Sequence, residues 1–153
     1  MIGDYRLWRE CHARGNAPGR ASVVAMRLEL TRKTDLALRS LRALAAASGR
    51  LSGRALAAEV GTTSPFIAQV MGPMVRAGLV SSRPGPSGGY GLAPAAAAAS
   101  VLDVIEAVEG AIDPNRCVLA GGPCGVDPCS VHGAWLEARA ALEDSLRRSP
   151  ALA

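Results

Sequence analysis

Residues 51–92, LSGRALAAEVGTTSPFIAQVMGPMVRAGLVSSRPGPSGGYGL, decide the predicted fold because they combine two short helical patterns, a glycine-containing turn and a hairpin pattern. The first helix is expected over residues 52–60, and a second begins near Pro65 after a turn at Gly61. Ser64 is expected to cap the second helix, and proline suits a first helical turn because that position needs no intrahelical N–H bond. Two short helices joined in this way predict a helix-turn-helix.

The chain after the second helix predicts a two-stranded wing. The helix is expected to end at Ala77 and Gly78, and residues 79–83 have the pattern of a short strand. Residues 84–89 then form a tight turn, and residues 90–92 a returning strand. Such a hairpin can be an ordinary surface feature. Its place directly after a helix-turn-helix favours contact with DNA.

The predicted DNA-binding face combines the second helix and the wing. Pro73 is expected to kink or restart the helix near Gly72, which leaves residues 65–71 to enter the major groove. In the wing, glycines permit a close approach to a groove, and Arg83 can reach phosphate or a narrow minor groove. The predicted contacts are Thr62, Thr63, Ser64, Phe66, Gln69, Arg83, Ser87, Gly88, Gly89 and Tyr90.

Charge divides the chain into a basic and an acidic part. Residues 26–94 carry nine Lys or Arg against three acids, whereas residues 95–153 carry four against eight. A basic surface suits the phosphate backbone of double-stranded DNA, although both faces could simply be solvated. Aromatic residues make up only 3% of the chain, which argues against stacking on single-stranded nucleic acid as the main activity.

Three segments are expected from these patterns. Residues 1–25 lack periodicity and predict a disordered or non-native N-terminal extension, with Met26 as an alternative natural start to Met1. Residues 26–94 are predicted to form a winged-helix DNA-binding domain, and residues 95–153 a cluster-binding loop with a dimerisation helix. The chain has neither a long uncharged apolar run nor an export-like N-terminus, so a cytoplasmic protein without membrane contact is expected.

Further helices are predicted on both sides of the helix-turn-helix. A first helix is expected from Thr31 until Gly49, a linker over residues 95–99, and a short helix capped by Ser100. The first helix is predicted to bury an apolar stripe of Leu36, Leu38, Leu41, Leu44 and Ala45. A final helix over residues 134–148 carries apolar side chains that need a partner surface, which predicts a homodimer. The predicted fold class is therefore mainly α.

Three cysteines, Cys117, Cys124 and Cys129, lie within the thirteen residues CVLAGGPCGVDPC, and the remaining cysteine is distant at Cys11. In a reducing compartment such a cluster favours metal binding over disulfides. Thiolates bind soft iron or zinc, and three of them leave one coordination position for another residue. The sequence therefore predicts a metal centre whose fourth ligand is not a cysteine.

The order of these motifs resembles a known family. SPFIAQVMGPMVRAGLVSS, the wing RPGPSGGYGLA, SVLDVIEAVEG and a three-cysteine loop resemble the Rrf-type iron-sulfur winged-helix transcriptional repressors, a family that contains NsrR and IscR. The resemblance covers residues 26–148. TDLALRSL at residues 34–41 looks like the start of NsrR, which makes NsrR the closest member by this criterion.

The resemblance implies two possible ligand sets. NsrR-like ligation implies Asp35 from the partner subunit with the three cysteines, a 4Fe-4S cluster and nitric oxide as the signal. IscR-like ligation implies His132, three positions after Cys129, with a 2Fe-2S cluster that reports iron-sulfur or redox status. The TDLALRSL match favours the first set. Six and four residues separate the cysteines, which departs from the five-and-five spacing of the family.

The predicted function is a repressor that binds a palindromic operator as a homodimer and loses DNA affinity when its cluster is damaged. A zinc-stabilised winged-helix protein is the competing interpretation, although the loop lacks paired Cys-x-x-Cys knuckles. An enzyme is not expected. A thiol nucleophile would have only His132 as a base, and the sequence contains neither a Gly-rich nucleotide loop nor a paired-carboxylate motif.

Overall fold

The computed structural model describes residues 30–111, 119, 123–124 and 128–152 of the 153-residue chain. The predicted extension at residues 1–25, Met26 and Cys117 lie outside these residues. The described elements are α1 (Arg32–Ala46), α2 (Gly53–Glu59), α3 (Ser64–Arg76), β1 (Val80–Arg83), β2 (Gly89–Leu92), a 3₁₀ helix (Pro94–Ala98), α4 (Val101–Glu109) and α5 (His132–Arg148). The predicted mainly helical fold with a two-stranded wing is confirmed.

Helix α1 begins where the sequence predicts and ends earlier. The side chain of Thr31 caps it by accepting a hydrogen bond from the backbone N–H of Thr34 at 3.3 Å. The helix ends at Ala46, because Ala47 has extended backbone angles, and the predicted end at Gly49 is wrong. Its buried face consists of Thr34, Leu36, Ala37, Ser40, Leu41 and Leu44. Ala45, which was expected in the apolar stripe, is exposed because it lies off the 3.6-residue period of this face.

The helix-turn-helix is formed by α2 and α3. Ser52 caps α2 by accepting from Ala55 N at 3.1 Å, and Gly61 turns the chain with a φ of 71°. The carbonyl of Thr63 accepts from Ile67 N at 2.9 Å, so Thr63 is the N-cap of α3. Ser64 is already helical, and the prediction that it caps the helix is wrong by one residue.

Helix α3 runs without interruption from Ser64 to Arg76, so the predicted restart near Gly72 is wrong. Pro73 cannot donate a backbone hydrogen bond, but its carbonyl accepts from Ala77 N at 2.9 Å and continues the helical ladder. Met71 and Met74, on either side of the proline, are fully buried. Core packing thus holds the helix together where its backbone bonding is weakest. The predicted end at Ala77 and Gly78 is confirmed.

The wing is an antiparallel pair of β1 and β2 in which Val80 lies opposite Leu92 and Arg83 opposite Gly89. A bridge between Leu51 and Tyr90, whose backbone groups exchange hydrogen bonds of 2.8 and 2.9 Å, attaches β2 to the segment before α2. The wing is therefore fixed to the helix-turn-helix by backbone bonds and does not depend on its turn alone.

The hydrophobic core is continuous across the predicted boundary at residue 94. Ala96 is completely buried, and Ala99, Val104 and Val108 pack in the same cluster as the apolar residues of α1 to α3. The predicted linker over residues 95–99 is consequently wrong as a description of this segment, because Pro94–Ala98 is a packed 3₁₀ helix. The division into two functional segments stays a prediction.

Helix α4 begins with a capping box. Asp103 Oδ2 accepts from the backbone N–H and from the hydroxyl of Ser100, both at 2.7 Å, and Asp103 N donates to Ser100 Oγ at 3.2 Å. The bonds from Ser100 to the charged carboxylate hold the pKa of Asp103 below its ordinary value of 3.8. The predicted cap at Ser100 is confirmed.

The final helix, α5, starts at His132, two residues before the predicted start, and none of its described residues is buried. Its C-terminal end is anchored, because Val101 N donates to Ser149 O at 2.8 Å and Ala151 N donates to Ala99 O at 2.9 Å. Among the described residues, the helices are too short or too polar for any of them to cross a membrane.

Candidate DNA-binding face and cysteine site

The exposed side of α3 presents part of the predicted DNA-contacting set. Thr63, Ser64 and Gln69 are exposed, whereas Thr62 and Phe66 are half-buried. Phe66 packs against the core, and the guanidinium carbon of Arg32 lies 5.9 Å from the centroid of its ring. This geometry is that of a cation–π contact. Gln69 and Ser64 are therefore better placed to meet base edges than Phe66 is.

Two wing glycines are required by the hairpin itself. A Cβ atom on Gly88 would lie 2.1 Å from the carbonyl oxygen of Arg83, and one on Gly89 would lie 2.4 Å from the carbonyl oxygen of Leu51. Gly89 also has a φ of 137°, which side-chain-bearing residues rarely adopt. The sequence alone suggests that these glycines permit a close approach of the backbone to DNA. The structure adds that the hairpin of the wing cannot form in this geometry with a side chain at either position.

The other predicted wing contacts differ in accessibility. Arg83 at the end of β1 and Ser87 in the turn are both exposed. Tyr90 is half-buried and packs against the core, with its ring facing Gly53. Arg83 is thus presented outward at the tip of the wing, and Tyr90 supports the wing from beneath.

Arg50 is a wing residue that the sequence did not identify. Its Nη1 donates to the carbonyls of Ser81 at 3.1 Å and Gly89 at 3.0 Å, and its Nη2 donates to Ser81 Oγ at 3.0 Å. One guanidinium therefore bridges both strands. Because these acceptors lie 31 and 39 positions further along the chain, no local pattern could have identified the contact.

Exposed positive side chains lie on the same elements as the predicted DNA-binding face and on α1 and α2. The exposed basic residues on α1, α2, α3 and the wing are Arg32, Lys33, Arg39, Arg42, Arg54, Arg76 and Arg83. Such a distribution favours a polyanion, because neutralising phosphates releases bound counterions.

Two of the three clustered cysteines lie together with His132. Cys124 Sγ is 3.8 Å from Cys129 Sγ and 3.2 Å from His132 Nδ1. The backbone N–H of His132, the first residue of α5, donates to Cys129 O at 3.0 Å. The sulfur separation is far longer than the roughly 2.05 Å of a disulfide. The start of α5 therefore gathers two soft sulfur donors and one imidazole.

The separation of the sulfurs fits two thiolates on one metal ion. In a tetrahedral site with metal–sulfur bonds of roughly 2.3 Å, two sulfurs lie about 3.8 Å apart, as they do here. Within the described residues no group of three or more His, Cys, Asp or Glu side chains is arranged so that it could hold a metal ion by itself. Cys117, the third predicted thiolate, is not among them.

Asp35 occupies a different part of the molecule. It lies in the first turn of α1 and is exposed, with its Oδ2 3.7 Å from Nη1 of Arg39 one helical turn later. Its predicted contribution from the partner subunit stays a prediction, and so does the identity of the fourth ligand.

Comparisons with known proteins give a consistent family. The Rrf2 family model, described as "Iron-dependent Transcriptional regulator", matches residues 30–149. The chain is similar to the HTH-type transcriptional regulator IscR of Escherichia coli, with 39% identity over 75 residues, 49% of this chain and 46% of that protein. The match thus spans less than half the length of that relative.

Solved structures show the same fold. The chain is similar to CymR (YrzC), the global cysteine regulator of B. subtilis, with a TM-score of 0.65 and 24% identity, covering 82% of this chain and 94% of that one. It is also similar to IscR of T. potens, with a TM-score of 0.64 and 24% identity, covering 81% and 83% respectively. The similar proteins are transcriptional regulators and not enzymes, as the sequence predicts.

Proposed function

Because the chain belongs to the Rrf2 family of iron-dependent transcriptional regulators, we propose that it is a DNA-binding repressor whose operator affinity is controlled by an iron-sulfur cluster. The observation that carries the DNA-binding part is the exposure of Ser64 and Gln69 on an uninterrupted helix beside a wing that presents Arg83. A helix of this kind enters the major groove, while the wing contacts the adjacent backbone or minor groove.

A homodimer is proposed from the surface of α5. Leu136 and Leu142 are 37% and 47% exposed, and the helix is fixed to the fold at its C-terminal end. Apolar side chains on an anchored, uncovered helix are a natural surface for a two-fold interface. Two recognition helices related by such an axis would bind half-sites about 34 Å apart, which requires a palindromic operator.

The cluster is proposed to bind through Cys117, Cys124, Cys129 and one further ligand. The 3.8 Å separation of the Cys124 and Cys129 sulfurs supports a shared site for these two cysteines, whether the cluster is the 4Fe-4S type that the NsrR resemblance implies or the 2Fe-2S type of IscR. The contact of 3.2 Å between Cys124 and His132 supports His132 as the fourth ligand within one chain. Asp35 from the partner subunit is the competing ligand, and its exposure leaves it accessible for that role.

The signal to which the repressor responds depends on which residue is the fourth ligand of the cluster. With His132, the repressor would report the supply or redox state of iron-sulfur clusters. With Asp35, the cluster would link the two subunits through a weakly held oxygen ligand, and nitric oxide becomes the signal. When bound, the cluster supplies a removable cross-link between the cysteine segment and its fourth ligand. That NsrR is the family member most similar to this chain, and that the repressor responds to nitric oxide, are both parts of this proposal.

Anaerobic purification tests the proposal directly. We expect a coloured protein with sulfur-to-iron charge-transfer absorption and matching amounts of iron and acid-labile sulfide. Duplexes selected from a random-sequence pool by this protein should be palindromic and should bind with an affinity that falls when the cluster is removed. Adding nitric oxide then separates the two signals, because only the Asp35 arrangement predicts a rapid loss of DNA affinity.

A structural zinc site is the second candidate function for the cysteines. The same sulfur separation suits zinc, which binds thiolate and imidazole at similar bond lengths. A colourless protein with one zinc per chain and DNA affinity unaffected by iron depletion would contradict the sensor proposal and support a constitutive DNA-binding protein.

A further inference from the structure

One carboxylate fastens the first turn of α1 to the end of α4. Glu109 Oε1 accepts a hydrogen bond from Thr34 Oγ1 at 3.1 Å and a second one from the hydroxyl of Thr31. Thr31 is the N-cap of α1, Thr34 is only 1% exposed, and Glu109 is the last residue of α4. The three residues, which we call the Glu109 clamp, join segments 75 to 78 positions apart in the sequence.

The charge of Glu109 is better accommodated by α1 than by its own helix. A carboxylate at a helix C-terminus opposes the helix dipole, whereas the same charge at a helix N-terminus is stabilised by it. Hydrogen bonds from hydroxyls to an ionised carboxylate are stronger than neutral ones. Removal of Glu109 would also leave the buried hydroxyl of Thr34 without its acceptor, which carries a desolvation cost. The clamp therefore specifies how α1 sits on α4.

The same turn of α1 contacts α3, which is the recognition helix of the proposed DNA-binding face. Arg32, the first residue of α1, lies over the ring of Phe66 in the first turn of α3. Phe66 also packs against the core, so its position and that of the exposed residues beside it are linked. A displacement of the α1 turn would change the support of the N-terminal end of α3, from which Ser64 and Gln69 face outward.

In the sequence, the clamp residues stand close to candidate cluster ligands. Gly110 follows Glu109 with a φ of 90°, and Cys117 stands eight positions after Glu109 in the sequence. Asp35 immediately follows Thr34. The turn that the clamp holds is thus the turn of α1 that carries both Asp35, one candidate for the fourth ligand, and Arg32, which contacts Phe66 of α3.

We propose that Glu109 is a positioning residue for DNA binding, which sets the pose of α3 through the α1 turn and the Arg32–Phe66 contact. This inference rests on the proposed DNA-binding function. Glu109 itself carries a negative charge, so direct contact with phosphate would oppose binding. A decrease in DNA affinity after its removal must come from geometry.

The first experiment uses anaerobically purified proteins with equal cluster content and the duplex selected by the wild-type chain. Glu109→Ala should weaken binding by about threefold to thirtyfold with the salt slope unchanged. Glu106→Ala, which removes the same charge from the same helix outside the clamp, should bind as tightly as wild type or more tightly. Equal effects of the two substitutions would overturn the proposal.

A matched control separates positioning from general stability. Asp103→Ala removes one acidic group and the capping box of α4, so it destabilises the same helix without touching the clamp. Its DNA affinity should stay close to that of wild type at a temperature where both proteins are folded. Thr34→Val, which changes no charge, should reproduce most of the Glu109→Ala effect, and Thr34→Ser should not. If Asp103→Ala weakens binding as much as Glu109→Ala, the role of Glu109 is only structural.

Amide hydrogen exchange of the DNA-free protein gives a readout that does not need an operator. In Glu109→Ala, exchange should accelerate at the first amides with backbone hydrogen bonds in the two helices, Asp35 of α1 and Ile67 of α3, while the amides of the wing stay as in wild type. Acceleration confined to α1 would contradict the link to the recognition helix. If wild-type protein selects no duplex, the proposed DNA-binding function fails, and the exchange data still decide whether the clamp supports α3.

Discussion

Cys124 Sγ lies 3.2 Å from Nδ1 of His132, which brings the imidazole to one of the clustered cysteines within a single chain. His132→Ala should therefore reduce iron and sulfide content severalfold in anaerobically purified protein, because one ligand position is lost. Asp35→Ala should leave the content close to wild type if the ligand set is contained in one chain. Iron, sulfide and zinc analysis together with the absorption spectrum measures both.

The opposite result identifies the other ligand set. Loss of the cluster in Asp35→Ala with retention in His132→Ala would contradict the His132 arrangement and support ligation across the dimer. Arg39→Ala is a useful control, because it removes the ion-pair partner of Asp35 and leaves the carboxylate in place.

Substitutions in the recognition helix α3 and in the wing should impair DNA binding in different ways. Gln69→Ala should change the base preference at one position of each half-site, with a cost of about 1–3 kcal/mol for the preferred base. Arg83→Ala should weaken binding to all sequences and reduce the salt slope by about 0.9, because one phosphate contact is lost. Binding measured over a salt series for matched and mismatched duplexes distinguishes them. Unchanged binding in both variants would contradict the proposed docking face.

The tight turn that joins β1 and β2 in the wing should depend on Gly88. Gly88→Ala places a Cβ atom 2.1 Å from a backbone oxygen, so the turn must shift at a cost of about 1–3 kcal/mol. Gly49→Ala is the matched control, because nothing lies within 4 Å of its added Cβ. Denaturant unfolding gives both values. A Gly88→Ala variant as stable as Gly49→Ala would show that the wing turn adapts freely.

Ser40 offers a stabilising substitution. Its hydroxyl is fully buried and has no hydrogen-bond partner in the described part of the chain. Ser40→Ala removes this polar atom and improves helix propensity, so the free energy of unfolding should rise by about 1 kcal/mol. Ser100→Ala, which deletes a hydroxyl that caps α4, should lower it by about 1 kcal/mol. Unfolding curves of the two variants should shift in opposite directions.

Asp103 predicts an acid-dependent loss of stability. Its pKa is lowered in the folded chain by the bonds from Ser100, so its contribution is present above the ordinary value of 3.8 and is lost as pH falls through the folded value. Asp103→Ala should be less stable than wild type at neutral pH by about 0.5 kcal/mol, since the group is solvent-exposed. The difference should shrink below the ordinary pKa. A gap that is constant from pH 7 to pH 3 would contradict this role.

Local sequence signals predicted most of the elements because their causes are local. Ser100 caps α4, and Gly61 and Gly78 adopt positive φ values where the chain was predicted to turn or a helix to end. The errors arise where tertiary packing outweighs a local preference. Buried methionines carry α3 through Pro73, and the core draws the alanine run into a 3₁₀ helix.

The candidate site was predictable only in part. Clustering of the thiols identified Cys124 and Cys129, the family resemblance supplied both candidates for the fourth ligand, and position within the helix-turn-helix identified Gln69 and the wing. Arg50 and Glu109 were missed because their partners lie 31 to 78 positions away, where a single sequence contains no signal of contact.

By itself, the sequence determined the helix-turn-helix and the wing and predicted soft-metal chemistry, since hydrophobic period, turn residues and thiol clustering are properties of neighbouring residues. The tertiary structure alone decided which groups meet. It joined His132 to Cys124 and Glu109 to the first turn of α1, and it made one core of the two predicted segments. Burial and hydrogen bonding between distant segments depend on how the helices pack, and that packing is a property of the whole chain.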